Sequence, residues 1–136
     1  SVLAALEDEA WAVAEASGDL HLLAEDAQAG TRSWYGVLGV AQERVIPRLE
    51  QLLRDNRAVL DSAPETVSRI YAAAFRDAAT PLLSPAQALV TTVIDPETGR
   101  ADQAAWAAWW AGWTGSLQEL NLVLDRVPAS VQNCPD

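Results

Sequence analysis

Near the end of the chain, Trp106, Trp110, Trp113, Leu117, Leu120, Leu124 and Val127 recur at spacings of 4, 3, 4, 3, 4 and 3. A helix puts residues at such intervals on one side, and a seam held over three heptads is the period of a helix packed lengthwise against others. Trp109 falls beside this seam, so four of the six tryptophans lie within eight residues. Each indole removes roughly 150–250 Å² from water when buried. No other segment carries comparable apolar area. The seam therefore predicts an all-α domain whose central or docking helix begins at an Asp102 N-cap and ends at Pro128.

The rest of the chain supplies partners for that helix. Leu3, Leu6, Ala10 and Val13, with Trp11 beside them, mark one face of a first helix over about 2–28. Gly18-Asp19 is expected to break or bend it, and Gly30-Thr31 to end it. A second helical pattern covers roughly 37–61. Pro47 inside it either kinks one long helix or sits in the first turn of a new one beginning near Val45. Ser62-Ala63-Pro64-Glu65 has the spacing of a capping box, and the next helix shows Val67, Ile70, Tyr71, Ala74, Phe75 and Ala78 along one face until Pro81. Ser84-Pro85-Ala86-Gln87 repeats the start signal. The short β-branched run Leu89–Ile94 reads as helix, for want of a partner strand, and Asp95–Gly99 reads as a turn. The expected fold is a compact all-α bundle of about five helices, one domain over residues 1–136.

Charge narrows the function classes. A net charge of −10 leaves no basic face for phosphate backbones or anionic lipid surfaces, which excludes nucleic acid. No apolar run approaches the length of a membrane span, so the chain reads as soluble, either cytoplasmic or exported after processing. Glu7, Asp8, Glu9, Glu15, Asp19, Glu25 and Asp26 fall in the first 31 residues without one Lys or Arg. That start is a solvated helix face or a docking surface for a basic partner. The absence of methionine predicts a processed or excised piece of a longer protein. Abundant alanine and arginine without lysine fit a GC-rich, actinobacterial type of coding sequence. Cys134 stands alone, so an internal disulfide and a thiol metal site are both excluded.

Catalytic chemistry finds no support in the spacing. His21 is the single histidine, with Asp19 and Glu25 nearby and no nucleophile signature to use it. A di-iron site needs repeated Glu-x-x-His pairs. The Asp95–Gly99 turn fails as a calcium loop because its glycine is at position five and Trp106 occupies position twelve. No cofactor fingerprint appears. Glu43, Glu50 and Glu119 could pair across helices, but charged outer faces account for them. Catalytic residues, metal and cofactor are accordingly all expected to be none.

The tryptophan helix carries a second pattern. Ala104, Ala108, Gly112 and Ser116 form a row of small residues beside the seam. Each glycine inside a helix costs about 1 kcal/mol relative to alanine, so the row serves close approach, either tight packing inside the bundle or a groove for an apolar ligand or a partner helix. Two family resemblances accompany it. Trp34-Tyr35-Gly36, between two helices, resembles the W-x-G turn of small helical proteins exported by type VII secretion. The Tyr-x-x-x-Asp/Glu export signal of that family is replaced here by Tyr71-Ala-Ala-Ala-Phe75. The stretch from Val45 to Val67, with Leu120–Pro128, resembles the helical tails of actinobacterial Mce ("mammalian cell entry") proteins. That resemblance implies an envelope protein whose helices line a lipid-import conduit, although the β-rich domain of the family is missing.

These patterns lead to a non-catalytic helical binding module. Its ligand is a protein partner helix or an apolar small molecule held at Trp106, Trp109, Trp110 and Trp113, with Trp34 and Tyr35 nearby. Trp109 lies off the seam and is the expected contact. The alternative is a structural subunit of a larger assembly, docking through its acidic N-terminal face, with homo-oligomers included.

Overall fold

The apolar seams meet in an all-α bundle. The computed structural model describes residues 2–30, 32–62 and 67–127. These residues form five α-helices: α1 (Val2–Gln28), α2 (Tyr35–Val40), α3 (Ile46–Ser62), α4 (Val67–Ala88) and α5 (Gln103–Arg126). A π-helical turn at Ala41–Val45 joins α2 to α3, and another at Leu89–Val93 extends α4. Among the described residues the one β feature is an isolated antiparallel bridge between Ile94 and Ala101. Among the described residues no helix is long and apolar enough to cross a membrane.

Long-range bonds fix the directions. Arg44 of the π turn pairs with Asp19 of α1 at 2.7 Å, and further along Asp55 of α3 meets Glu9 of α1, so the two helices are antiparallel. The Tyr71 hydroxyl donates to the Arg126 carbonyl at 3.1 Å, while Trp109 reaches Pro85, so α4 and α5 are antiparallel too. α1 touches α3, α4 and α5, and α4 does the same from the facing corner, leaving α3 and α5 on opposite sides.

The seams explain where helices ignore their local stop signals. In α1, Leu3, Leu6, Ala10, Val13, Ser17, Leu20, Ala24 and Ala27 are all buried, an unbroken alternation of threes and fours. Gly18 lies on the opposite, exposed side, and the helix runs through it without interruption. The expected break at Gly18-Asp19 does not occur, because the continuous apolar face outweighs a penalty of about 1 kcal/mol for one glycine. Gly30 does end the helix, at φ +80° with its N–H on the Ala27 carbonyl.

The two helices expected around Pro81 and Pro85 are one. α4 continues from Val67 to Ala88 with both prolines inside. Ala72, Phe75, Ala79, Leu82, Ala86 and Leu89 are buried at alternating threes and fours across them. Pro81 is exposed, as is Asp77, whose carbonyl it leaves without an N–H partner from position 81. Leu89–Val93 is helical as expected, but in the wider π form. The second expected helix contains the other π turn. Its seam runs Ala41, Val45, Leu49, Leu52, Asn56, with two consecutive fours where threes and fours alternate elsewhere. The π turn absorbs that extra residue, and Pro47 follows in the first turn of α3. The capping box at 62–65, Pro128 and Cys134 involve residues outside the described ones.

Candidate functional site

α5 is held by its indoles. Asp102 caps it as expected, its carboxylate accepting the Ala105 N–H at 2.9 Å. Trp106 and Trp113 are 2 % and 1 % exposed and form part of the core. Trp34, at the turn before α2, is also buried and tilts onto Trp106 with ring centroids 5.2 Å apart. Trp109 and Trp110 are half-buried. Trp109 stacks between Trp106 (5.4 Å) and Trp113 (5.1 Å), and Trp110 stacks on Trp106 at 5.7 Å. The structure thus gathers five of the expected residues into one aromatic cluster. Such contacts are worth about 0.5–1.5 kcal/mol each beyond area burial.

Two of the indole N–H groups find acceptors on other helices. Trp113 donates its indole N–H to the Ser17 hydroxyl at 3.1 Å, and that buried hydroxyl donates to the Val13 carbonyl at 2.8 Å. Trp109 donates to the Pro85 carbonyl at 2.8 Å, in the turn just before the π-helical stretch of α4. Tyr35 stands apart. It is exposed, its hydroxyl donates to the Glu97 carbonyl at 2.7 Å, and its ring covers Gly99. A Cβ at Gly99 would lie 2.5 Å from that ring, so the Asp95–Gly99 turn closes against Tyr35 only because residue 99 is glycine. The turn holds itself as well. Asp95 accepts the Glu97 N–H, and that bond keeps its carboxyl below the usual carboxylate range.

His21 stacks flat on Trp110, with centroids 4.4 Å apart, and its Nδ1 lies 3.4 Å from Glu25. It serves as an aromatic lid on the cluster, with Glu25 beside its ring. The other acid expected near it, Asp19, is taken by Arg44. Among the described residues no group of three or more His, Cys, Asp or Glu could hold a metal ion. Glu43, Glu50 and Glu119 are exposed and sit on different elements.

The small-residue row faces away from the bundle. Ala104, Ala105, Ala107, Ala108, Ala111, Gly112, Thr114 and Gly115 are all exposed, and Ser116 is half-buried. A Cβ built at Gly112 or Gly115 meets nothing within 4 Å. Tight contact inside the bundle, one of the two readings of this row, is therefore not its role. Beside its C-terminal end, α4 and α5 frame an open groove of about 320 Å³, with Ala78, Pro81, Leu122 and Val123 in its walls and Asp77, Glu119 and Arg126 at its edges.

The carboxylates that do come together are ones the spacing did not single out. Glu9 is half-buried on the α3 side of α1, and its Oε2 has no hydrogen-bond donor. Burial, then a hydrogen bond shared with Asp55, pushes its carboxyl up to about 8. Asp55 accepts that bond and a second from Gln51 at 2.9 Å, and its own carboxyl is lowered. Asn56, the next residue, is wholly buried with neither amide atom bonded. The signal was available in outline: Asn56 occupies a seam position, and Glu9 adjoins the seam residue Ala10. Compared with known protein families, curated proteins and solved structures, the chain matches none of them.

Proposed function

We propose that this chain is a non-catalytic binding module in which α5 receives an apolar partner helix on its outward face. One observation carries the reading: from Gln103 to Gln118, α5 has no charged residue, and its exposed positions there are almost all alanine, glycine or threonine. Elsewhere the chain is strongly acidic. The small side chains leave the backbone of α5 nearly bare, which permits close approach of another helix. Gly112 and Gly115 each cost α5 about 1 kcal/mol relative to alanine, and among the described residues nothing lies close enough to either to offset that cost. A partner helix suits this convex face better than an apolar small molecule, which needs enclosure on several sides. Trp109 and Trp110 flank the face and would supply its edge.

A second reading rests on α1. Trp11 and Leu22 are 51 % and 61 % exposed and share the outer stripe of that helix with Asp8, Glu15 and Glu25. Such a stripe suits docking into a larger assembly through the acidic face. Co-purification from the source cell separates the two. Gly112→Arg should abolish capture of a stoichiometric partner while leaving the far-UV spectrum unchanged, and Trp11→Ser should not. The reverse pattern favours the α1 face. Retention by both variants removes both readings.

A further inference from the structure

Trp11 stands apart from the other tryptophans. Among the described residues it makes no ring contact, and it is more than half exposed, as is Leu22 on the same helix. At 3.6 residues per turn, Trp11, Gly18 and Leu22 fall within about 40° of one another on α1, opposite the buried line through Val13 and Leu20. Trp11 and Leu22 are about 16 Å apart along the helix axis. Gly18 lies between them, and a Cβ built there meets nothing within 4 Å. The outward line therefore has a bulky side chain toward each end and a hollow in the middle. Asp8, Glu15 and Asp26 follow it on one side, Glu7 and Glu25 on the other. Asp26 is held by Arg32, and Glu25 lies beside His21. Asp8 and Glu15, one turn to either side of Trp11, form no ion pair among the described residues. An apolar line edged on both sides by one sign of charge is the layout by which a helix packed lengthwise selects its partner: the line gives contact and the edges choose the charge.

We propose, resting on the α1 reading above, that this stripe seats a basic amphipathic helix. Its apolar side chains pack beside Trp11 and Leu22 and into the hollow over Gly18, and its lysines or arginines meet Asp8 and Glu15 on one edge and Glu25 on the other. Charge decides the occupant. An anionic lipid surface is repelled by the same acids. A second copy brings the same net charge of −10, and arginines that could answer the stripe are engaged within the chain: Arg44 with Asp19, Arg54 with Gln51, Arg69 with the Leu60 carbonyl and Arg76 with Asp77. The uncharged face of α5 offers such a helix no counter-charge, so the two faces select different partners. Covering the line from Trp11 to Leu22 takes a partner helix of about three turns or more.

The probe is a labelled synthetic helix of about 18 residues, leucine at its heptad core positions and lysine elsewhere, with a glutamate-for-lysine counterpart. Both are titrated against the whole chain by fluorescence anisotropy at low and high salt. The lysine helix should saturate one site per chain and weaken with salt, and the glutamate helix should not bind. Trp11→Ser and Leu22→Ser, both at exposed positions, should each weaken the lysine helix about tenfold or more, and Glu15→Gln about twofold to fivefold. Glu50→Gln, which removes an exposed acid on the α3–α4 side, should change it less than about twofold. Absence of saturable binding overturns the assignment, as does equal weakening by Trp11→Ser and Glu50→Gln, which is adsorption by charge alone. A dimer in sedimentation that Trp11→Ser dissociates overturns it too, because a second copy then holds the stripe. If capture of a cellular partner is lost in Trp11→Ser while the lysine helix fails to bind, the α1 face still docks and only its basic-helix occupant is overturned; if Trp11→Ser changes neither, both fall.

Discussion

Ser17→Ala removes one oxygen from the centre of the bundle and tests whether Trp113 is anchored as described. The hydroxyl accepts the Trp113 indole N–H and donates to the Val13 carbonyl, and both side chains are about 1 % exposed. Its loss strands a buried N–H, at a cost of about 1–3 kcal/mol. Alanine returns roughly 0.5 kcal/mol through better helix propensity, so the net loss is about 0.5–2.5 kcal/mol. With an unfolding entropy of about 2.1 cal/mol/K per residue, that lowers Tm by roughly 2–9 °C in a chain of this length. Urea and thermal unfolding followed by circular dichroism read both quantities. The sharper form is a double-mutant cycle with Trp113→Phe, which removes the donor: in that background Ser17→Ala should be nearly neutral. An unchanged or raised Tm for the single variant would refute the anchoring. So would the same loss in the Trp113→Phe background, since the cost would then have nothing to do with the indole.

Other expectations follow from single sites. Asn56→Val exchanges two unpaired buried polar atoms for a side chain of similar size and should raise stability by about 1–2 kcal/mol; a fall in urea midpoint would show that the carboxamide is bonded in solution. Gly112→Ala should add about 0.5–1 kcal/mol, because the position is helical, exposed and open; destabilisation on thermal unfolding would place that face against something within the chain. Gly99→Ala should cost 1 kcal/mol or more, roughly, from a φ of +65° and the Tyr35 ring, and its tyrosine environment should change in near-UV circular dichroism. The raised Glu9 carboxyl contributes stability that is full below about 4.5 and lost as pH rises through about 8. The lowered Asp55 carboxyl acts oppositely, contributing above its ordinary 3.8 and failing as pH falls below it. Urea midpoints should therefore peak in mildly acidic solution, and a maximum at pH 8 or above, unaltered by Glu9→Gln, would contradict both assignments.

Much of the architecture was readable because apolar periodicity is a property of whole helices. The α5 seam named Trp106, Trp113, Leu120, Leu124 and Val127, and all are buried. The misreadings at Gly18, Pro81 and Pro85 share a cause. Each is a local signal that carries a fixed penalty, whereas the seam from Ala72 to Leu89 brings six buried side chains to the core. Three of these are Leu or Phe, each worth roughly 1.5–3 kcal/mol. Tertiary burial outweighs the stop signal. The π turn at Ala41–Val45 was also written in the spacing, as two consecutive fours, once that irregularity is read as an inserted residue. The candidate site was less legible. Sequence put four indoles on one helix, but which ring edges find acceptors depends on Ser17 and Pro85, far away in the chain. It placed small residues in a row without saying which way the row faces. The Glu9–Asp55 pair joins residues 46 positions apart on the flanks of two seams, and flank residues are where periodicity says least.

The claim that matters most is that the uncharged face of α5 meets a partner. A photoreactive residue placed at Ala108, on that face, and a matched one at Ala58, exposed on α3 at the opposite corner of the bundle, test it directly in the source cell. Irradiation should join Ala108 to one partner segment, mapped by peptide mass spectrometry as an apolar helix, and leave Ala58 without a specific product. Equal labelling at both positions, or none at Ala108 while the chain is held in a complex, would contradict it.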